Sequence, residues 1–169
     1  MRRIGFVILL VCMISFPAWA EWSLLCYAVS DVPDTIFPYL NQRKELERRV
    51  DLADTTWFGN DFGGRIRVKS VDSVHVSIQV ADDVTFELLL QNRYKGDTVY
   101  VIQTVCSPVC NSVVTAYDMS RGWNPLFMLQ PPFKADFYSA TVENGEIVFT
   151  DRTPLSLDEE EKKFYPPHP

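Results

Sequence analysis

The sequence predicts a single α+β domain, with one N-terminal helix packed on a mostly antiparallel meander sheet of about six to eight strands. Three observations predict it. From Val84 to Met119, alternating apolar/polar runs are joined by a Tyr-Lys-Gly-Asp loop and a Cys-Ser-Pro-Val-Cys loop, the pattern of a meander with one face on a core. From Tyr39 onward the apolar positions recur at helical spacing. Near the end, Asn144-Gly145 separates two further alternating runs, as in a hairpin with a type I′ turn.

The first twenty residues carry the marks of a secretory signal. Arg2 and Arg3 are the basic start, Ile4 to Phe16 the apolar stretch, and Ala18-Trp19-Ala20 a small-x-small site predicting cleavage between Ala20 and Glu21. Cys12 follows Val11, where a lipoprotein signal requires a small residue. No later stretch approaches the ~20 apolar residues of a membrane helix, so no transmembrane segment is expected after cleavage. The expected location is the periplasm or the cell surface and beyond. Residues 21–150 then form the domain, and 151–169, with Asp158 to Lys163 and Tyr165 to Pro169, a polar, proline-rich and poorly ordered tail. The formal charge is −6, and losing Arg2 and Arg3 lowers it by two, to −8. A net acidic domain argues against nucleic acid as a partner.

Taken in order, Trp22 to Val29 reads as a first strand or a packed lead-in. Asp34 is a candidate N-cap and Pro38 fits the first helical position. From Tyr39 to near Asp54, about fifteen helical residues place Leu40, Leu46, Val50, Ala53 and Trp57 on one face. Arg43, Lys44, Glu45, Glu47, Arg48 and Arg49 make the solvated one. Gly59 to Gly64 is a loop without the Lys-Ser/Thr of a phosphate cradle. Arg65 to Lys69 alternates, with Ile66 and Val68 inward. In the next run Val74, Val76, Ile78 and Val80 point one way and His75, Ser77 and Gln79 the other. Thr98 to Val105 is apolar on both faces and suits a central strand covered on both sides. Pro108 keeps the segment between the cysteines out of a ladder. Asn111 to Met119 is the next strand, Arg121 to Pro125 a turn with an aromatic anchor, and Pro131-Pro132 ends an apolar linker. The closing hairpin sets Glu143 opposite Glu146.

Chemistry-bearing residues are few. A bridge between Cys106 and Cys110 closes a very small loop worth about 2 kcal/mol, which leaves Cys26 odd. Cys26 bridging to either partner satisfies the sequence equally. The histidines are His75 and His168, too few and too far apart for a zinc site, and a Cys-x3-Cys spacing lacks the two-residue gap of metal and redox motifs. No cofactor motif is assembled and no metal is expected. Arg65, Arg67, Lys69, His75 and Gln79, with Ser77 and Glu87, would form a mixed polar patch if the strands are neighbours, a candidate site for an anion or a partner.

Pro33-Asp34 before Pro38, Arg49-Val-Asp-Leu-Ala53, Gly59-Asn60, Gly63-Gly64 and Leu88 to Leu90 recur with Thr104 to Pro108, Ser112 to Asp118 and Trp123. Together they resemble a Bacteroidales family of small exported proteins classed as a domain of unknown function, over roughly 32–126. The resemblance implies export and brings no activity and no catalytic residues; the cysteines flanking Pro108 depart from its pattern. The function expected is therefore a non-enzymatic, exported binding or interaction protein of the cell envelope, with a protein or glycan partner. The alternative is a small exported hydrolase or thiol-dependent enzyme using His75 or a cysteine. Neither the ligand nor the oligomeric state is encoded legibly.

Overall fold

Leu25, Ala28, Val29 and Val32 recur at spacings of three and four, and all four are at 0% exposure. They line one face of a helix over 24–31, here α1, in the computed structural model, which describes residues 24–38, 42–61, 63–93 and 96–154. Of the two readings of this stretch, a first strand or a packed lead-in, the strand is excluded: a short apolar run fits either period, and burial on one flat sheet face selects the helical one. The second helix, α2 (Arg43–Asp51), has 9 residues rather than the expected fifteen. Its N-cap is Gln42, with no side-chain cap bond. Asp34 instead lies in a turn and accepts a hydrogen bond from the Arg43 guanidinium, which also donates to the carbonyls of Ser30 and Val32. Arg43 thus ties the end of α1 to the start of α2. The chain leaves α2 through Ala53 in a left-handed conformation (φ 49°), so Trp57 is not on the helix.

Seven strands follow in sequence order, each antiparallel to the one before. They are β1 (Phe58–Gly59), β2 (Arg65–Val71), β3 (His75–Ala81), β4 (Val84–Arg93), β5 (Gly96–Cys106), β6 (Cys110–Asp118) and β7 (Asn124–Leu129). A separate hairpin, β8 (Tyr138–Glu143) and β9 (Glu146–Asp151), forms a second sheet. Its turn residues Asn144 and Gly145 have φ of 52° and 77°, as a type I′ turn requires, and Glu143 pairs with Glu146.

Alternation along the strands builds two cores rather than one. On the first face, Ile66, Val68, Val76, Ile78, Leu88 and Val101 pack under α1, α2 and Phe37. The Phe37 and Phe86 ring centroids there are 4.0 Å apart. On the second face, Leu89, Tyr100, Ile102, Val114 and Ala116 pack under Ala140 of the hairpin. Strand β5 is covered on both sides, as its apolar character predicts, and its second cover is the hairpin. The domain therefore has three layers: helices, meander, hairpin.

The turn after β6 carries the predicted aromatic anchor. Gly122 (φ 71°) and Trp123 (φ 61°) are both left-handed, a conformation that costs a tryptophan about 1–2 kcal/mol. Burial of the indole, 4% exposed, and its N–H donated to Asp31 at 2.9 Å offset that cost and fasten the turn to α1. The segment 124–129, expected as an apolar linker, is an edge strand. Pro125 is tolerated there because an edge leaves one side of the backbone unpaired. Cys106 and Cys110 form a disulfide across the β5–β6 turn, and Cys26 is a free, buried thiol. Among the described residues no helix is long and apolar enough to cross a membrane. The expected signal segment lies outside the described residues, as does most of the expected tail.

Candidate functional site

The polar patch read from the strands divides in two. The hairpin covers the part of the second face formed by β4, β5 and β6, and the register puts His75, Ser77 and Glu87 beneath that layer. All three are buried, at 7%, 4% and 7% exposure. His75 is therefore not the exposed strand residue that alternation implies: a second layer hides the face that would otherwise meet solvent. Arg65, Lys69 and the partly exposed Arg67 and Gln79 remain on the open part, over β2 and β3.

Beneath the hairpin the buried groups are joined. His75 Nε2 is 2.9 Å from Glu87 Oε2, and the same oxygen accepts the Val142 N–H of β8 at 3.2 Å. Asp72 accepts the His75 backbone N–H. In a two-residue hairpin every second residue points its backbone groups away from its partner strand. Ala140 and Val142 are such residues, and sheet side chains satisfy their N–H groups: Ser112 Oγ takes that of Ala140 at 2.8 Å, and Glu87 takes that of Val142. Ser112 in turn shares a 2.7 Å hydrogen bond with Thr104. These polar residues hold a layer in place, which a buried polar group must do to offset its desolvation.

The open part has a different chemistry. Arg67 donates from Nε to Gln79 Oε1 at 3.0 Å, and its guanidinium lies 4.6 Å from the centre of the Trp57 ring. Lys69 is the extra residue of a bulge between Val68 and Ser70. Trp57, Gly64, Arg65 and Asp82 wall a concavity of about 430 Å³. Arg65 and Lys69 form no ion pair among the described residues, and Arg67 meets no carboxylate there. The helix arginines contrast with them. Arg43 pairs with Asp34, Arg48 with Glu45, and Arg49 with Glu45 and Asp54. Hydrogen bonds from Arg48 and Arg49 hold the Glu45 carboxyl down at about 2. The helix charge run is thus partly a set of clamps, and Arg49 also stacks 4.6 Å over Phe58.

The remaining functional candidate is the far edge of the meander. On β7, Leu126, Phe127 and Met128 are exposed at 49%, 52% and 56%. No described strand pairs with the outer edge of β7. Val105 on β5 and Val113 on β6 are exposed as well. The sequence signal for this edge is an uncharged hexamer, Asn124 to Leu129, with proline second, just after a turn. Among the described residues no cluster of His, Cys, Asp and Glu could hold a metal ion.

A protein-family model described as "Protein of unknown function (DUF3256)" matches residues 25–160. The chain belongs to that family. The match runs past the resemblance read from the sequence and takes in the hairpin. Among solved structures, the chain is similar to a domain of an uncharacterized protein from Porphyromonas gingivalis W83, with a TM-score of 0.54 and 20% identity. The likeness covers 72% of this chain and 66% of that one, just under two thirds of its length, and concerns the fold. No curated protein matches the chain.

Proposed function

We propose that the protein is exported and works as a non-catalytic interaction module of the cell envelope, taking up an extended segment of a partner protein along β7. One observation carries this: the edge strand presents three consecutive exposed apolar side chains, and none of the residues 124–129 is charged. Unprotected edges of this kind pair with other chains, and proteins that keep them monomeric place lysine, proline or a bulge there. Here Pro125 and a bulge at Ala116/Tyr117 protect the start of β7, while the stretch from Phe127 to Leu129 stays in register with β6. Export rests on the signal-like N-terminus and agrees with the Cys106–Cys110 bridge.

The fold gives the thiol-enzyme alternative little support. Cys26 belongs to the helix-side core and His75 to the hairpin side, so the sheet lies between them. Cys106 is six strand residues beyond Tyr100, the β5 partner of Leu89 beside His75, or roughly 20 Å away. The test is capture of partners from the native envelope with the wild type and with Leu126→Lys/Met128→Lys. A partner lost with the double variant, whose melting temperature is unchanged, is the expected result. Equal capture by both proteins would refute strand addition at β7.

A further inference from the structure

We propose that the open face of β2 and β3 is a second binding site, for an acidic saccharide. It is independent of the β7 edge, which lies at the other end of the meander. Three features of the face point to that ligand class together.

The first is unspent positive charge. In a chain of net charge −6, the three cations of β2 form no ion pair among the described residues, while the three arginines of α2 are paired. A basic strand without ion pairs on an acidic protein attracts an anion. The second is Trp57, 38% exposed and set beside the cations by the Arg67 stack. An indole wall supplies the apolar contact that the C–H face of a sugar ring requires. The third is the polar rim. Asp82 shares the concavity with Arg65, and the Gln79 amide, which receives Arg67, donates to the Asp82 carbonyl at 3.3 Å. A carboxylate next to cations weakens the site for a bare anion such as phosphate, yet it accepts a hydrogen bond from a hydroxyl. An oligomeric polyhydroxylated acid uses all three features: one carboxylate meets Arg65, that of a neighbouring unit meets Lys69 farther along β2, a hydroxyl meets Asp82, and a ring meets Trp57.

The experiment is titration calorimetry of the purified full-length protein with three probes of equal length: an oligogalacturonate, a neutral galacto-oligosaccharide and an oligoglutamate peptide. Variants Arg65→Gln/Lys69→Gln and Trp57→Ala alter exposed positions, and their melting temperatures confirm folding. The expected result is binding of the oligogalacturonate alone, weakened about tenfold by either variant, as loss of charge-assisted contacts in one and of the aromatic contact in the other predicts. It also weakens as salt is raised. Equal binding of the peptide would reduce the site to a charge patch and overturn the saccharide assignment. Binding indifferent to Trp57→Ala would do the same, and no binding of any probe would overturn the site. Leu126→Lys/Met128→Lys leaves the titration unchanged, which separates this site from β7.

Discussion

Replacing Glu87 by alanine should loosen the whole hairpin layer. The carboxylate is 7% exposed and joins His75 at 2.9 Å to the Val142 N–H at 3.2 Å. Removing it orphans a buried ring nitrogen and a buried backbone donor, each costing about 1–3 kcal/mol. Together they give roughly 3–4 kcal/mol, in the range for breaking one side of a buried polar pair. For a domain of this size that lowers the melting temperature by about 10 °C. Glu87→Gln keeps an oxygen for Val142 and should cost about half as much. Urea unfolding at pH 7 gives the free energies, and amide exchange at Ala140 and Val142 reports the hairpin directly. A Glu87→Ala loss below about 0.5 kcal/mol, or a hairpin as protected as in the wild type, would refute the lock.

Three more outcomes follow from the same structure. Stability should fall as pH drops toward 2. Glu45 is held at about 2 by Arg48 and Arg49, and the Asp54 and Asp151 carboxyls are lowered by the N–H and hydroxyl groups of Thr56 and Thr153. Each folded value lies below its unfolded one near 4, so the stabilisation is complete above that range and lost below it; urea midpoints that rise from pH 4.5 to 2 would contradict this. Burial pushes the Cys26 thiol up, and Asp51 and Glu47 add to the shift, so iodoacetamide at pH 8 should label the native protein roughly 100-fold more slowly than the unfolded one. Equal rates by intact mass would place the thiol outside the core. Finally, Cys106→Ser/Cys110→Ser should cost about 2 kcal/mol and leave the meander intact; a loss above about 4 kcal/mol would show that the bridge holds more than its own turn.

Much of the meander was legible because its strands alternate. The even residues of β3 and β4 mark the helix-side core, and the apolar character of β5 on both faces marks the central strand. The Asn144-Gly145 turn fixes its hairpin by local chemistry alone. What sequence could not give is where that hairpin goes. Its docking depends on contacts such as Glu87 with Val142 and Ser112 with Ala140, separated by 55 and 28 residues, and no local period encodes them. That long-range docking turns His75, Ser77 and Glu87 from a solvent face into an interface. The same docking splits the candidate patch: Arg65, Arg67, Lys69 and Gln79 lie outside the hairpin's cover, and His75 lies beneath it. Residues 24–31 were ambiguous for a simpler reason, since eight mostly apolar residues satisfy a strand and a helix alike. Strand β7 hid behind Pro125, which signals a turn more strongly than an edge.

The most direct test of strand addition is a photo-crosslinking residue at Phe127, introduced into the protein in its native cell, with the same probe at Tyr27 as control. Both positions are similarly exposed, at 52% and 53%, and they belong to different elements, β7 and α1. Strand addition predicts a discrete protein adduct from position 127, absent from position 27 and absent when Leu126→Lys/Met128→Lys is added. No adduct at 127, or the same adducts from both positions, would contradict it.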